Sequence, residues 1–289
     1  MIKQDSHIEL MQRAGVAGEI SFEEAWQALK SFDFNDGDLE KFISRLGTNT
    51  PAYFKHFFKG GLEIQQVPAE IAGLIRYLWR HHPALRTYLE VGTGKGGTFM
   101  LLNESWRARG IKPELSVADN FCYAPLEQQE RFDWVRRQYD LQAFIGDTRT
   151  PAFQEFLGVR RFEVIFIDGD HSFQGCLADF IAAYPNLEEN GSMIFHDIVS
   201  TACPGVGEVF EIAKKYFAVN ETFIDSTTCG IGVLRGKKRP AISGLTGLGL
   251  RFRHALRGAP RRLKGMLKKT QRCAALSLAP EHTEDRRPQ

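Results

Sequence analysis

The spacing of apolar positions changes character twice along the chain. Up to about residue 60, apolar residues recur at helical intervals in short stretches. "SFEEAWQALKSF" opens on Ser21 with Glu24 three places on, a capping box in which each side chain satisfies a backbone N–H at the helix start. "DFNDGDLEKF" carries the carboxylates of a calcium loop, but its glycine and final Glu fall at the wrong positions. The spacing there predicts a turn followed by a capped helix. A longer amphipathic helix is predicted over 67–83, "VPAEIAGLIRYLWRHHP", with Pro68 in its first turn and Pro83 past its end.

From Thr87 onward, short apolar runs alternate with amphipathic segments. The pattern predicts strands at 87–91, 115–119, 141–145, 162–168 and 192–196, with helices between them. Such alternation implies right-handed βαβ units and an α/β fold: a doubly wound, mostly parallel, Rossmann-like sheet covered on both faces. "TFIDS" and "GIGVLRG" predict a closing antiparallel hairpin. The chain thus divides into an N-terminal helical segment (1–61), one βαβ domain (62–236) and a tail (237–289).

Charge sharpens that division. The formal net charge is +2, yet 237–289 holds 14 Lys and Arg against three acidic residues, +11, which leaves −9 on the remainder. An acidic body is not built to bind nucleic acid. The tail mixes Leu and Phe with Arg and Lys. It reads either as a basic amphipathic helix in peripheral contact with an anionic surface or as a solvated, poorly ordered extension. The five cysteines (Cys122, Cys176, Cys203, Cys229, Cys273) are scattered and include no C-x-x-C, against a disulfide framework or a structural zinc site. "MIKQDSHIEL" lacks a secretory pattern and no run of about 18 apolar residues exists, so the expectation is a soluble, cytoplasmic protein.

The candidate chemistry lies at the predicted strand ends, which in such a sheet converge on one crevice. In "YLEVGTGKGGTFM" (88–100), Gly92, Gly94 and Gly97 fit G-x-G-x-x-G, a loop shared by NAD, FAD and adenosylmethionine sites. Glu90, two residues earlier, is awkward for a pyrophosphate and suits a ligand with a positive amino group. Asp119 ends the next strand, where a carboxylate accepts both hydroxyls of a ribose or caps the adjoining turn. Asp168 ends the fourth strand, and His196 and Asp197 end the fifth. These three make a cation site with open positions; the other reading is strand-end carboxylates capping the next helix or turn. Asp170 is an alternative to Asp168 but faces the other way if the strand continues. His171, three past Asp168, is placed to take a hydroxyl proton; the other reading is a hydrogen-bonded loop histidine.

Glu90, the glycine loop and Asp119 together resemble the first two motifs of class I S-adenosylmethionine (SAM)-dependent methyltransferases. "FIGDT" (144–148) then implies Asp147 beside the adenine amino group. "IDGDHSFQGCLADF", "LEENGSMIFHDI" and "TTCGIGVL" resemble the family related to cephalosporin-cluster and macrolide-sugar O-methyltransferases, whose fold is like that of catechol-type enzymes. The likeness covers about 62–236. It implies Mg²⁺ on Asp168, Asp197 and the His196 position, with His171 as base. His196 stands where relatives often have a carboxylate; its nitrogen shifts the preference toward Mn²⁺ or Fe²⁺, or leaves His196 off the ion.

The implied activity is divalent-metal-assisted O-methylation of a hydroxyl on a small sugar or glycosylated acceptor, with self-association left open. Gln65 or Gln66 contacts ligand or belongs to a surface loop, and Tyr123 walls the pocket. Cys122 reads as a small apolar filler, and His81 and His82 as a helix end without a catalytic role. Two other classes stand beside this one: a nicotinamide oxidoreductase, and a catalytically silent interaction module acting through its tail.

Overall fold

The computed structural model describes residues 20–35, 37–46, 61–122, 125–225 and 229–238. Tyr123 and the tail beyond 238 lie outside the described residues. Among the described residues two short helices come first, α1 (Phe22–Ser31) and α2 (Leu39–Ile43). The capping box is present: Ser21 Oγ accepts from the Glu24 N–H, and Glu24 accepts from the Ser21 N–H at 3.0 Å. In the loop with a calcium-like pattern, Asp33 accepts from the Asn35 N–H and Asp38 caps α2 through the Lys41 N–H, so both carboxylates serve the turn and the cap.

Helix α3 (Pro68–His81) buries Ile71, Leu74, Ile75 and Leu78 completely. Each such side chain contributes about 1.5–3 kcal/mol by leaving water. The α/β body continues β1 (Thr87–Val91), α4 (Gly97–Arg107), β2 (Glu114–Asp119), α5 (Pro125–Gln138), β3 (Leu141–Ile145), α6 (Pro151–Leu157), β4 (Phe162–Ile167), α7 (Phe173–Ala183), β5 (Leu187–His196), α8 (Pro204–Ala213), β6 (Phe217–Phe223) and β7 (Ile231–Lys237).

The seven strands lie in the order β3-β2-β1-β4-β5-β7-β6, with β7 antiparallel to both β5 and β6 and the rest parallel. This is the expected doubly wound α/β sheet with a closing hairpin. Chain order reverses between β1 and β4, so their carboxyl ends flank the crevice in which such sheets bind ligands. Tyr88 to Val91 of β1 are buried, as expected for a parallel strand covered on both faces.

Two strands differ from the sequence expectation by more than one residue. β5 begins at Leu187 rather than 192; its polar first half pairs through Phe162 and Leu187, and a register shift precedes Val164. The sixth strand is 217–223 rather than 222–226. Past Phe223 the chain leaves the sheet because buried Glu70 of α3 accepts from the backbone N–H of Asp225 and of Gly230, 3.0 Å each.

Candidate active site

The glycine loop sits at the carboxyl end of β1. Gly92 has φ +85°, and a Cβ there would collide with the backbone carbonyl of Asp168 across the β1–β4 boundary. A Cβ on Gly97 would strike the carbonyl of Leu62. Gly94 is different: its φ is +52° and the space where a Cβ would stand is empty, which leaves a backbone surface open to a ligand. Gly96, outside the G-x-G-x-x-G positions, supplies the left-handed residue (φ +81°) before α4. The double glycine in "GKGG" is its only signal in the sequence.

The segment before α3 straps this loop. Lys95 Nζ pairs with Glu63 at 2.8 Å, and buried Gln66 accepts from the Thr98 hydroxyl while donating through Nε2 to Asp168 Oδ2 at 2.8 Å. Of the two glutamines singled out, Gln66 is therefore the one at the site, holding Asp168; Gln65 is exposed.

Glu90 lies beneath the loop, 1% exposed. It accepts from the Tyr88 hydroxyl at 2.5 Å and the Thr93 hydroxyl at 2.8 Å. Burial pushes its pKa up to about 8 against those two hydrogen bonds, with Asp168 and Asp119 adding to the rise. Both hydroxyls belong to the protein itself, so Glu90 braces the loop. Of the two roles read for Asp119, the contacts present are those of the cap: Oδ1 accepts from the Phe121 N–H and Oδ2 from the Gly94 N–H, each at 2.7 Å. Burial raises its pKa and the backbone N–H groups oppose the rise.

Asp147 follows β3, whose last residue Ile145 pairs with Asp119. It is held by Arg149 through two side-chain bonds of 2.7 and 2.8 Å, which keep its carboxyl below the usual range.

At the ends of β4 and β5 the four expected residues meet. His171 Nε2 is 3.1 Å from Asp168 Oδ1, and its Nδ1 is 3.3 Å from Asp197 Oδ2. His196 Nδ1 lies 3.0 Å from Asp168 Oδ1 and 3.7 Å from Asp197 Oδ1. Two imidazoles thus stand between two carboxylates. Burial disfavours charge on both rings and on Asp168, but the mutual attraction outweighs it. Asp168 is held below its ordinary range, His196 is raised well above its own, and His171 is pushed up to about 11 by its contacts with Asp168, Cys203 and Asp197. In this arrangement His171 carries a proton at neutral pH.

Asp197 has φ +65°, a conformation few non-glycine residues adopt. Asp170, the alternative to Asp168, accepts from the Ser172 N–H and lies 3.9 Å from Arg149, so it belongs to a different cluster. That second cluster contains a carboxyl with no signal in the sequence pattern. Asp179, 2% exposed on α7, accepts from Thr148, and burial pushes its pKa up to about 7.

Two cysteines also stand at the site without a sequence signal. The chain after β5 pairs with the approach to β7 through the Val199 N–H and the Cys229 carbonyl at 2.9 Å, which sets Cys229 beside His196 and Asp197. At the start of α8, Gly205 packs so tightly on the backbone of Phe173 that no Cβ fits. That packing sets Cys203 Sγ 3.4 Å from His171 Nδ1. Nothing in the spacing of the cysteines signals either approach.

Asp168 and Asp197 each present a carboxylate oxygen to His196 Nδ1, at 3.0 and 3.7 Å, and are the residues that could hold a cation together with that imidazole. His196 Nε2 is buried with no hydrogen-bond partner among the described residues. Carboxylates and imidazoles crowded in this way gain when a cation takes the place of protons.

Over residues 89–198 the chain matches a family described as a methyltransferase domain. The matched stretch runs from β1 to just past Asp197, so it holds the glycine loop, Asp119, Asp168, His171 and His196. A protein of Acanthamoeba polyphaga mimivirus, the uncharacterized protein R132, is 28% identical over 125 residues. That match covers 38% of this chain and spans about half, 51%, of the relative's length.

Among solved structures, the O-methyltransferase NovP is similar at 14% identity and a TM-score of 0.49, covering 76% of this chain and 100% of that one. The O-methyltransferase TomG of Streptomyces achromogenes, in complex with SAM, gives 15% and 0.46 over 82% and 100%. The Podospora anserina methyltransferase PaMTH1, bound to S-adenosylhomocysteine (SAH), gives 11% and 0.47 over 82% and 98%. No helix among the described residues is long and apolar enough to cross a membrane.

Proposed function

We propose that this chain is a SAM-dependent methyltransferase that methylates a hydroxyl of a small polar acceptor, a sugar or glycosylated metabolite, with a divalent cation assisting. The observation that carries the reading is the open backbone at Gly94, clamped by Asp119 in the same loop whose Gly92 packs on Asp168, within the stretch that matches a methyltransferase domain. SAM would lie over Gly94, with Asp119 toward its ribose and Asp147 on the adenine side. Glu90 acts at one remove, fixing the loop through Thr93.

Methyl transfer requires the acceptor oxygen in line with the sulfonium carbon, so positioning supplies most of the rate. His171 is the residue to remove the hydroxyl proton, typically worth about 10²–10⁴ in rate. As it stands the ring is held charged by Asp168 and Asp197, and it can accept a proton only when their charge is balanced from elsewhere. A cation on Asp168, His196 and Asp197 would balance it and stabilise the developing alkoxide; Mg²⁺ suits the oxygens, and Mn²⁺ or Fe²⁺ the imidazole. With that charge balanced, the His171 ring would return toward its ordinary range and could act as a base.

The test is SAH formation from SAM across a panel of sugars and glycosides, with Mg²⁺, with Mn²⁺ and with chelator. A turned-over acceptor, lost activity in chelator and a turnover reduced at least about a hundredfold in His171→Ala are expected. Full activity in chelator would remove the cation. Unchanged turnover in His171→Ala would remove the base.

A further inference from the structure

We propose that His171, Asp197 and Cys203 form a binding site for a thiophilic metal ion, zinc above all, with Asp168 as the positioning residue for His171. The inference starts from distances. His171 Nδ1 stands 3.3 Å from Asp197 Oδ2 and 3.4 Å from Cys203 Sγ, and a donor atom from each of the three lies within 4.8 Å of the others. Zinc bonds of about 2.0–2.3 Å in a tetrahedron separate neighbouring ligand atoms by about 3.3–3.6 Å. Both spacings from Nδ1 fall in that range, so an ion fits with little movement of the side chains.

The surroundings complete the arrangement. The other nitrogen of His171, Nε2, faces the Asp168 carboxylate at 3.1 Å. A carboxylate behind a metal-bound imidazole fixes its tautomer and strengthens it as a ligand. Asp168 is itself held by Gln66, so the orientation is fixed from two sides. Three protein ligands leave a fourth position, and His171 and Cys203 are only partly buried, so water can reach it. A thiolate donor separates this set from the oxygen-rich one on Asp168, His196 and Asp197, because soft sulfur selects zinc over magnesium. The two sets share Asp197. A second trio, His196, Asp197 and Cys229, is wholly buried and has no such open position.

Zinc on His171 Nδ1 would exclude that ring from accepting a substrate proton, a consequence that rests on the base role given above. The binding itself needs neither methyl donor nor acceptor. The full chain, stripped by chelator and titrated with Co²⁺ as a coloured substitute for zinc, should show thiolate-to-cobalt absorption in the near ultraviolet and strong visible bands of a tetrahedral ion. Zn²⁺ should displace both. Cys203→Ser should lose the thiolate band and Cys229→Ser should keep it. Asp168→Asn should keep it but bind cobalt about 10–100-fold more weakly. No thiolate band in the folded, unsubstituted chain would overturn the site, as would a band that survives in Cys203→Ser. Should that variant fail to fold, protection of Cys203 from iodoacetamide by Zn²⁺ decides the question, and equal labelling with and without zinc overturns it.

Discussion

Replacing Asp168 by Asn tests the electrostatics at the centre of the site. The carboxylate contacts His171 at 3.1 Å and His196 at 3.0 Å, and Gln66 holds its other oxygen at 2.8 Å. Asparagine keeps the shape and removes the charge, leaving two imidazoles without that counter-charge. Breaking a buried ion pair in this way costs about 3–5 kcal/mol. His171 is 36% exposed, so water screens part of the loss, and about 3 kcal/mol is the expected figure at pH 6.

The pH dependence comes from the ring. Its folded pKa of about 11 lies above the ordinary 6.5, so the stabilisation is fully present below pH 6.5 and is lost as pH rises through 11. The variant lacks that contribution. The stability gap between the two proteins is therefore widest at pH 6 and narrows toward pH 10. Imidazole ¹⁵N resonances of chelator-treated protein, followed with pH, together with urea unfolding at pH 6 and 10, read both quantities. A His171 ring titrating near 6.5 in the unsubstituted protein would refute the reasoning, and so would an equal stability gap at the two pH values.

Three further outcomes are expected. Gly97→Ala should gain about 0.5–1 kcal/mol from helix propensity, yet it should lower stability by about 1–2 kcal/mol in urea unfolding, because the new Cβ meets the Leu62 carbonyl; a gain would remove that close approach. Gln66→Ala leaves Asp168 Oδ2 and the Thr98 hydroxyl short of a partner and should cost about 1–3 kcal/mol by the same assay; a loss within about 0.5 kcal/mol would make Gln66 a bystander. Asp179 has a folded pKa of about 7 because it is buried, so its neutral form stabilises the fold below the ordinary carboxylate value and that contribution disappears as pH rises through 7. Asp179→Asn should therefore flatten the decline in stability between pH 5 and pH 8, and an unchanged slope would contradict the assignment.

Much of the fold is legible in the chain because local physics and tertiary structure agree. Short apolar runs alternating with segments of 3.6-residue periodicity place five parallel strands within a few residues, and the strand-end rule alone brings Asp168, His171, His196 and Asp197 together. The departures have specific causes. β5 is longer than its apolar run because Leu187 pairs with Phe162 of β4 ahead of a register shift, and the polar residues Glu188–Asn190 span that irregularity. The contacts of Glu90 with the Thr93 and Tyr88 hydroxyls are likewise invisible in the spacing, because they depend on the depth at which β1 is buried. Cys203 reaches His171 only because Gly205 lets α8 pack on α7, a contact between segments some 30 residues apart that no periodicity encodes. Asp179 is silent for the same reason: its partners Thr148 and Asp170 come from the loops after two other strands.

The proposed function stands or falls with a methyl donor at the open backbone of Gly94. Asparagine tolerates a left-handed backbone and its Cβ would meet nothing there, so Gly94→Asn should fold while filling the space a ligand needs. Calorimetric titration with SAH, with NAD as the comparison, can therefore be run on both proteins. Saturable SAH binding to the unsubstituted chain, none of NAD, and SAH binding lost in Gly94→Asn are expected. No SAH binding by the folded, unsubstituted protein would contradict the proposed function.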